Sequence, residues 1–367
     1  MESWRIKSYL WPSIFQYSIL PVFERGAQRR RSMKVGFCYN LKKPADESTP
    51  ADRFAEWDDE ETIGAVHSAL ARKHEVIPVE GDEGAFETFR RYRPDIVFNM
   101  AEGMYGASRE SQIPAMLEML RIPYTGSDPL TLAVCLDKAA AKVALNYYRV
   151  PNAPFVVVLD PRDLPRFPSF PLIVKPLREG SSKGIQNSSL VRNSRQLKEE
   201  IHRILTEYHQ PALVEKFLPG REFTVALLGN GKDLEILPIV EVRFEELPDH
   251  INPIYSFEAK WIWDTVENPL EIFVCPAKVS LSLKKKIQNV CRAAYTVLGV
   301  RDWCRIDVRL DDAGDPHILE LNPLPGILPN PDANSCFPKA ARTAGMTYEQ
   351  LIHRVLDTAC RRAGLKP

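Results

Sequence analysis

The sequence has no excess of charge of either sign. Its 367 residues include 48 Lys and Arg against 48 Asp and Glu. This balance argues against general nucleic-acid binding, which depends on an excess of basic residues. With 44% hydrophobic and 26% charged residues, the composition is that of a soluble protein. The length predicts two or three domains of ordinary size.

Cysteine pairs with the spacing of a zinc or redox motif are also lacking. The seven cysteines are scattered and none belongs to a CxxC motif. Most stand in an apolar context, as Cys135 does between Val134 and Leu136. We therefore expect buried free thiols rather than a disulfide framework or a zinc site. Free thiols are typical of a reducing compartment, so we expect a cytoplasmic protein.

The chain lacks an uninterrupted apolar run that could span a membrane. The most apolar stretch, from Tyr9 to Phe23, is broken by two prolines, and three arginines follow at 29–31 without a secretory cleavage pattern. Three interpretations of residues 1–32 compete: a start codon placed too early, a disordered tail or an anchoring segment. We favour the first two, expect no membrane partner, and leave this extension out of the fold prediction.

From Met33 onward, strand and helix patterns alternate. Short apolar strands separated by segments of helical spacing predict a parallel sheet covered on both faces, over residues 33–127. A Pro-rich connector and strands around one helix predict a small α+β domain at 128–225. The third domain, 226–367, contains a polar hairpin and a closing helix at 348–362. No internal repeat is visible.

The predicted hairpin carries an unusual set of polar side chains. Its strands, at 304–309 and 318–322, are separated by a turn rich in Asp and Gly. Side-chain alternation places Glu320 and Asn322 on one face. With Asp307 they supply the oxygen ligands that Mg²⁺ prefers beside a phosphate. A solvated face on an edge hairpin is the competing interpretation.

Several lysines stand beside strand ends, a helix start or a flexible loop. Lys138 opens a helix, Lys175 ends an apolar strand, and Lys260 lies between Ala259 and Trp261. Taken singly, each is typical of a surface lysine whose stem covers apolar neighbours. The Gly- and Ser-rich loop at 178–184 lacks the GxxxxGK[ST] pattern of a P-loop. Lysines beside such a loop are nevertheless suited to neutralising a triphosphate.

The order of these motifs is more informative than any one of them. The chain contains LDK at 136–138, IVKP at 173–176, REGSS at 178–182, VEK at 214–216, REFTV at 221–225, FEAK at 257–260, FVCPA at 273–277, RIDV at 305–308 and LELNP at 319–323. This series resembles the ATP-grasp superfamily and, within it, the D-alanine–D-alanine ligase family. The resemblance covers about residues 33–362. It implies an α/β and α+β fold of three domains, with ATP held between the second and third.

The resemblance also implies a role for individual residues. The ATP-binding set would be Lys138, Lys175, Ser182, Glu215, Lys216, Leu218, Glu222, Lys260 and Leu319, with Glu222 on the ribose and Lys260 reaching the γ-phosphate. Two Mg²⁺ ions, or Mn²⁺ in their place, would be held by Asp307, Glu320 and Asn322. Catalysis would involve Arg305, Lys260 and Ser181. The amino-acid substrates would contact Glu102, Gly326, Ser335 and Ser181.

The implied reaction is an ATP-dependent ligation of two amino acids. A carboxylate attacks the γ-phosphate, and an amine then attacks the acyl phosphate to give an amide, ADP and phosphate. The resemblance further implies a homodimer with a role in peptidoglycan synthesis and cell-wall biogenesis. One alternative is a ligase for a different amino acid or carboxylate scaffold in a specialised pathway. Another is a non-catalytic ATP-binding protein.

Departures from the family pattern gather where the amino acids are expected to bind. The family histidine is replaced by Glu102, which is suited to pairing with an ammonium but is equally typical of a surface or helix-capping glutamate. Trp261 stands where a tyrosine is usual, and the segment 327–334 is longer than in the family. The early glutamate that holds the first amino group has two candidates, Glu56 and Glu60.

Overall fold

A three-stranded parallel sheet forms the N-terminal part of the fold. The computed structural model describes residues 32–43, 54–163, 169–245, 247–248, 251–257 and 272–366. The sheet has the order β2-β1-β3, with β1 at Lys34–Tyr39, β2 at Glu75–Glu80 and β3 at Ile96–Asn99. Both strand pairs are parallel, which confirms the prediction. Its helices are α1 (Glu60–Ala71), α2 (Ala85–Tyr92) and α3 (Gln112–Leu120).

A four-stranded antiparallel sheet follows two helices, α4 (Pro129–Leu136) and α5 (Lys138–Tyr147). Its strands are β4 (Phe155–Val158), β5 (Leu172–Pro176), β6 (Leu190–Val191) and β7 (Ala212–Lys216), in the order β4-β7-β5-β6. Helix α6 (Ser194–Glu207) begins at Asn193, whose side chain accepts a hydrogen bond from the Gln196 amide. Its apolar stripe, Leu197, Ile201 and Ile204, packs on this sheet.

The third sheet is antiparallel and contains the predicted hairpin. Its order is β11-β10-β8-β12-β13, with β9 beside β8. The strands are β8 (Glu222–Leu228), β9 (Glu235–Ile236), β10 (Val240–Val242), β11 (Phe273–Val274), β12 (Trp303–Leu310) and β13 (Pro316–Asn322). Pairing of β12 with β13 confirms the hairpin, and pairing of β12 with β8 makes it part of a wider sheet rather than an isolated edge.

Strand β8 departs from the predicted domain division. That division places most of 222–228 with the middle domain, yet the strand pairs with β10 and β12 of the third sheet. Helices α4 and α5 likewise contribute Cys135, Ala141 and Leu145 to the core of the third sheet. Hydrogen bonds join β8 to the third sheet, and a shared hydrophobic core joins α4 and α5 to it. The sequence pattern shows neither connection, so it could not assign these elements to the third sheet. The boundaries at 127/128 and 225/226 otherwise stay a prediction.

The C-terminal helices pack against both the N-terminal sheet and the third sheet. They are α7 (Leu281–Val297), α8 (Cys336–Thr343) and α9 (Tyr348–Arg362). Thr347 caps α9 through a capping box with Gln350. The buried face of α9 shares one hydrophobic cluster with α1 and β1. All seven cysteines are free thiols, as predicted. Among the described residues, no helix is long and apolar enough to cross a membrane.

Candidate active site

A cavity of about 500 Å³ is lined by the middle and third sheets. Its volume falls in the range of cofactor-sized sites. We call it the main cavity. Among the residues singled out from the sequence it is lined by Lys175, Ser181, Ser182, Glu215, Lys216, Leu218, Glu222, Arg305, Asp307, Leu319, Glu320, Gly326 and Ser335. Lys175 and Ser335, which are 160 positions apart in the chain, therefore meet at one site. Lys260 and Trp261 lie outside the described residues.

One wall of the main cavity contains a buried carboxylate held between two lysines. Glu215 on β7 contacts the Nζ atom of Lys142 at 2.5 Å through Oε1 and that of Lys175 at 2.7 Å through Oε2. Burial opposes ionisation of Glu215, but the two ammonium groups outweigh it and lower its pKa to about 2. Each carboxylate oxygen of Glu215 is therefore paired with a lysine ammonium group. The implied contact of this residue with adenine would then come from its backbone.

The opposite wall pairs Glu222 with an arginine that the sequence analysis did not single out. Arg309 on β12 donates to Glu222 Oε2 at 2.7 Å and stacks on Phe217, with 4.5 Å between the guanidinium carbon and the ring centroid. Lys216 at the rim is 42% exposed and lies 3.8 Å from Asp312. Glu222, which the resemblance places at the ribose, and Lys216, at the rim, therefore line the same cavity as Lys175.

Two of the three predicted metal ligands, Asp307 and Glu320, line the floor of the main cavity, and the third, Asn322, lies beside them on the hairpin. Antiparallel register sets Asp307 opposite Glu320 and Arg305 opposite Asn322. Arg305 donates to Asp307 Oδ2 at 3.0 Å, and Asn322 Nδ2 lies 3.4 Å from the same oxygen. A bulge follows Asp307, where the register shifts. The hairpin thus brings two carboxylates, an amide and a guanidinium together, as the sequence predicts.

The electrostatics of this floor fit a divalent cation. Burial, together with nearby Glu320, raises the pKa of Asp307 despite its arginine neighbour. Lys138, Arg305 and Lys175 outweigh burial and lower the pKa of Glu320. Two neighbouring buried carboxylates repel each other, and a bound cation relieves that repulsion. Within the described ranges no group of three His, Cys, Asp or Glu side chains is placed to hold a metal. Phosphate oxygens and water would have to complete the coordination.

The Gly- and Ser-rich loop joins the main cavity to a smaller recess. Ser181 and Ser182 adopt left-handed backbone conformations, with φ of 51° and 61°. The Ser182 hydroxyl donates to the Tyr255 carbonyl at 2.9 Å, so this side chain also braces the loop. The Lys138 ammonium donates to the Glu179 carbonyl and lies 3.6 Å from Glu320 Oε2. The loop and the predicted phosphate-binding lysine are therefore held together.

Ser335 supports the segment that follows the hairpin. Its hydroxyl donates to the Gly326 carbonyl at 3.1 Å and accepts from the Leu328 amide at 3.2 Å. The residue stands at the N-terminal cap of α8. The resemblance implies contact with a substrate, and Ser335 does line the main cavity. Its hydrogen bonds show that it also fixes the longer loop at 327–334.

The smaller recess is rich in glutamates. We call it the acidic recess; its lining includes Glu56, Glu102, Glu110, Lys138 and Asn322. It shares Ser181, Arg305, Glu320 and Gly326 with the main cavity. The two spaces therefore adjoin at the hairpin floor, which places the acidic recess beside the predicted reaction centre.

Of the two candidate early glutamates, the structure places only Glu56 at the site. Glu60 lies exposed in the first turn of α1. Arg109 donates to both oxygens of Glu56, at 2.9 and 2.8 Å. The Gly180 amide donates to Glu56 Oε1 at 2.7 Å, and a Cβ atom at position 180 would stand 2.6 Å from that oxygen and push the carboxylate away. Glu102 also faces the recess rather than capping a helix.

Comparison with known proteins identifies the family. A family model described as D-ala D-ala ligase C-terminus matches residues 162–357, more than half of the chain. The D-alanine–D-alanine ligase of Mannheimia succiniciproducens is 31% identical over 301 residues, which cover 80% of this chain and 90% of the relative. The chain belongs to the D-alanine–D-alanine ligase family. The predicted family and the predicted ATP-dependent ligase type are thereby confirmed.

Two other proteins are similar to the chain. An uncharacterized protein of Sinorhizobium fredii, y4sG, is 38% identical over 297 residues, covering 79% of this chain and 84% of the relative. The solved D-alanine–D-alanine ligase of Bacillus anthracis complexed with ATP has a TM-score of 0.66 and 21% identity, and it covers 91% of this chain and 99% of that chain. The likeness confirms the predicted ATP-grasp fold class.

Four residues of the site were missed by sequence reasoning. They are Lys142, Arg109, Glu110 and Arg309. Lys142 lies one helical turn after Lys138, a spacing that places both on one face of α5 and that could have revealed it. Arg109 and Glu110 sit in a polar loop whose charges look like a solvated surface. Arg309 follows Asp307 by two residues and so shares its strand face, which is a usable signal.

Proposed function

We propose that this protein joins two amino acids through an acyl phosphate, with release of ADP and phosphate. The observation that carries the proposal is the meeting of Lys175, Glu222 and the hairpin floor in one cavity. A nucleotide needs cations at its phosphates and an acceptor at its ribose, and this cavity supplies both. Membership in the ligase family supports ATP as the nucleotide.

Different residues of the site would bind different parts of the nucleotide and its metal ion. Lys175 and Lys138 would neutralise the phosphates, and Glu222 would accept from a ribose hydroxyl. Asp307, Glu320 and Asn322 would hold Mg²⁺, which when bound supplies charge neutralisation at the transferring phosphoryl group. Arg305 would stabilise the oxyanion that develops when the amine attacks the acyl phosphate. These contacts act on charge that grows in the transition state, so their loss should lower kcat more than it raises KM.

The biological setting is part of the same proposal. The relatives named D-alanine–D-alanine ligase suggest D-alanine as the first substrate to test, and a role in peptidoglycan synthesis. We propose that the protein acts in the cytoplasm as a homodimer. Seven free thiols, five of them buried, support a reducing compartment. The non-catalytic alternative is not favoured, because it gives no reason for an arginine beside paired carboxylates at the phosphate end.

A coupled assay of ADP formation tests the proposed function. The full chain with ATP, Mg²⁺ and D-alanine is expected to release ADP, and mass spectrometry should find the dipeptide. D- and L-amino acid pairs extend the screen if D-alanine is a poor substrate. Absence of ADP formation with every amino acid, in a protein that still binds nucleotide, would contradict the proposal.

A further inference from the structure

The carboxylate implied for the ribose is held by one arginine. Antiparallel register sets Arg309 of β12 directly opposite Glu222 of β8, and the guanidinium donates to Glu222 Oε2 at 2.7 Å. Both side chains line the main cavity. Among the described residues, the Glu222 carboxylate has no second hydrogen bond or ion pair. One of its oxygens is therefore paired with Arg309, and Oε1 is left to a ligand or to water.

Two aromatic rings fix the position of the guanidinium. Its central carbon lies 4.5 Å from the ring centroid of Phe217 and 5.2 Å from that of Phe244. Arg309 is only 4% exposed, so water has little access to the ion pair. Phe217 stands between Lys216 and Leu218, which the resemblance assigns to ATP binding. The arginine therefore connects the segment expected at the adenine with the carboxylate expected at the ribose.

The surroundings of Glu222 make a fixed cation important. Burial raises the pKa of Glu222, and the charge of Arg309 is the largest influence in the opposite direction. Asp307 adds to the rise, and Lys175 opposes it. A hydroxyl donates most strongly to a charged carboxylate that is already oriented. Loss of Arg309 would leave this carboxylate poorly compensated and able to turn away from the ribose.

The guanidinium itself is not fully satisfied by the protein. The Nε atom of Arg309 is buried and has no hydrogen-bond partner in the described part of the chain. The same is true of Arg305, which also lines the main cavity. Buried donors of this kind are uncommon in native structures and often mark a functional site. The unpartnered Nε atom therefore favours a place in a binding site over a purely structural ion pair.

We infer that Arg309 is a positioning residue for ribose recognition, which holds Glu222 so that its Oε1 atom accepts a hydrogen bond from a ribose hydroxyl. The inference rests on the proposed function, from which it takes the contact of Glu222 with the ribose. It adds that selectivity for a ribonucleotide over a deoxyribonucleotide depends on Arg309. A site built for a hydroxyl rejects an analogue without it, because the buried polar group is then left unpaired.

Calorimetric binding of ADP and of its 2′-deoxy and 3′-deoxy analogues tests the inference. The wild type should bind ADP about 10- to 100-fold more tightly than the analogue that lacks the contacted hydroxyl, the range for a hydrogen bond to a charged group. In Arg309→Met this preference should fall to within about threefold, and the Kd for ADP should rise about tenfold. Glu222→Gln should reduce the preference as well. Since the two residues act together, the double variant should bind ADP no more weakly than the weaker single variant.

Arg221→Met is the matched control. Arg221 donates to Glu241 at 2.7 Å and lies 5.1 Å from the ring centroid of Phe223, but it is not among the described residues that line the main cavity. It should retain the wild-type preference. In the coupled assay, Arg309→Met should raise the KM for ATP while the KM for D-alanine stays within about twofold, a split that a general structural defect would not produce. Arg309→Lys keeps the charge without the planar fork and should show an intermediate preference.

The outcomes separate this inference from the proposed function. A full wild-type preference in Arg309→Met and Arg309→Lys would overturn the inference, as would a rise in Kd that is equal for ADP and both analogues. If Arg309→Met does not fold, an unchanged preference in Arg309→Lys alone would overturn it. A wild type that does not distinguish ADP from either analogue would also overturn it, while ADP formation with D-alanine upheld the proposed function. Selective ADP binding by a protein that releases no ADP with any amino acid would contradict the proposed function and support the inference.

Discussion

Lys142 offers a direct test of the cavity wall that carries Lys175. Lowering the pKa of Glu215 from 4.5 to about 2 corresponds to about 3 kcal/mol in favour of the charged carboxylate. Burial lowers the pKa of Lys142 itself, which offsets part of that gain. Since Lys175 would still pair with Glu215, Lys142→Met should reduce the free energy of unfolding by about 2–3 kcal/mol, less than the loss of a whole buried pair.

The stability lost in Lys142→Met should depend on pH. The pKa of Glu215 is depressed in the folded protein, so its stabilising contribution is present above about pH 4.5 and is lost as the pH falls toward 2. Lys142→Met removes one of the two cations responsible, so the loss of stability on acidification should be smaller in the variant. Urea unfolding at several pH values measures both effects.

A double-mutant cycle isolates the interaction. Lys142→Met and Glu215→Gln should couple by about 2 kcal/mol, since one ammonium contacts the other residue's carboxylate directly. Lys198→Met, an exposed lysine of α6, is the control and should change stability by less than about 0.5 kcal/mol. If Lys142→Met lowered the free energy of unfolding by less than this control value, and the cycle showed no coupling, an ionised Lys142–Glu215 pair would be refuted.

Three further predictions concern other parts of the molecule. Lys260→Ala should slow ADP formation at least 100-fold with little change in nucleotide binding, as expected for a contact at the γ-phosphate; full turnover would contradict the role implied for this lysine. Arg109→Met should cost about 3 kcal/mol in urea unfolding by leaving Glu56 poorly compensated, whereas the exposed Arg91→Met should cost almost nothing. Burial lowers the pKa of both His74 and His353, so the free energy of unfolding should fall as the pH drops through about 6.5. If the free energy of unfolding of His353→Leu no longer changes over this pH range, the loss belongs to His353.

The part of the site expected to bind the nucleotide follows the family's sequence pattern, whereas the part expected to bind the amino acids departs from it. The lysines, Glu222 and the hairpin floor stand where the family pattern places them. The acidic recess departs from that pattern at Glu102. In a ligase, pocket contacts decide which substrate is joined. Variation at this end can therefore change the substrate while the phosphoryl-transfer chemistry stays the same.

Most helices and strands were predictable because their apolar residues recur with a clear period. Helix α9 has the predicted bounds, and the hairpin was indicated by two β-type segments around a polar turn. Strand β8 spans the predicted boundary at 225/226, because its apolar residues fit either sheet. Only the backbone pairing of β8 with β12 decides between them.

The sequence by itself determined the reaction type, because the phosphate- and metal-directed residues occur as short motifs in a fixed order. Tertiary structure alone decided which carboxylates form ion pairs. Glu56 meets Arg109 across 53 residues and Gly180 across 124, so its compensation cannot be seen in any local pattern. Ion pairing depends on distance in space and on burial, and neither can be read along the chain.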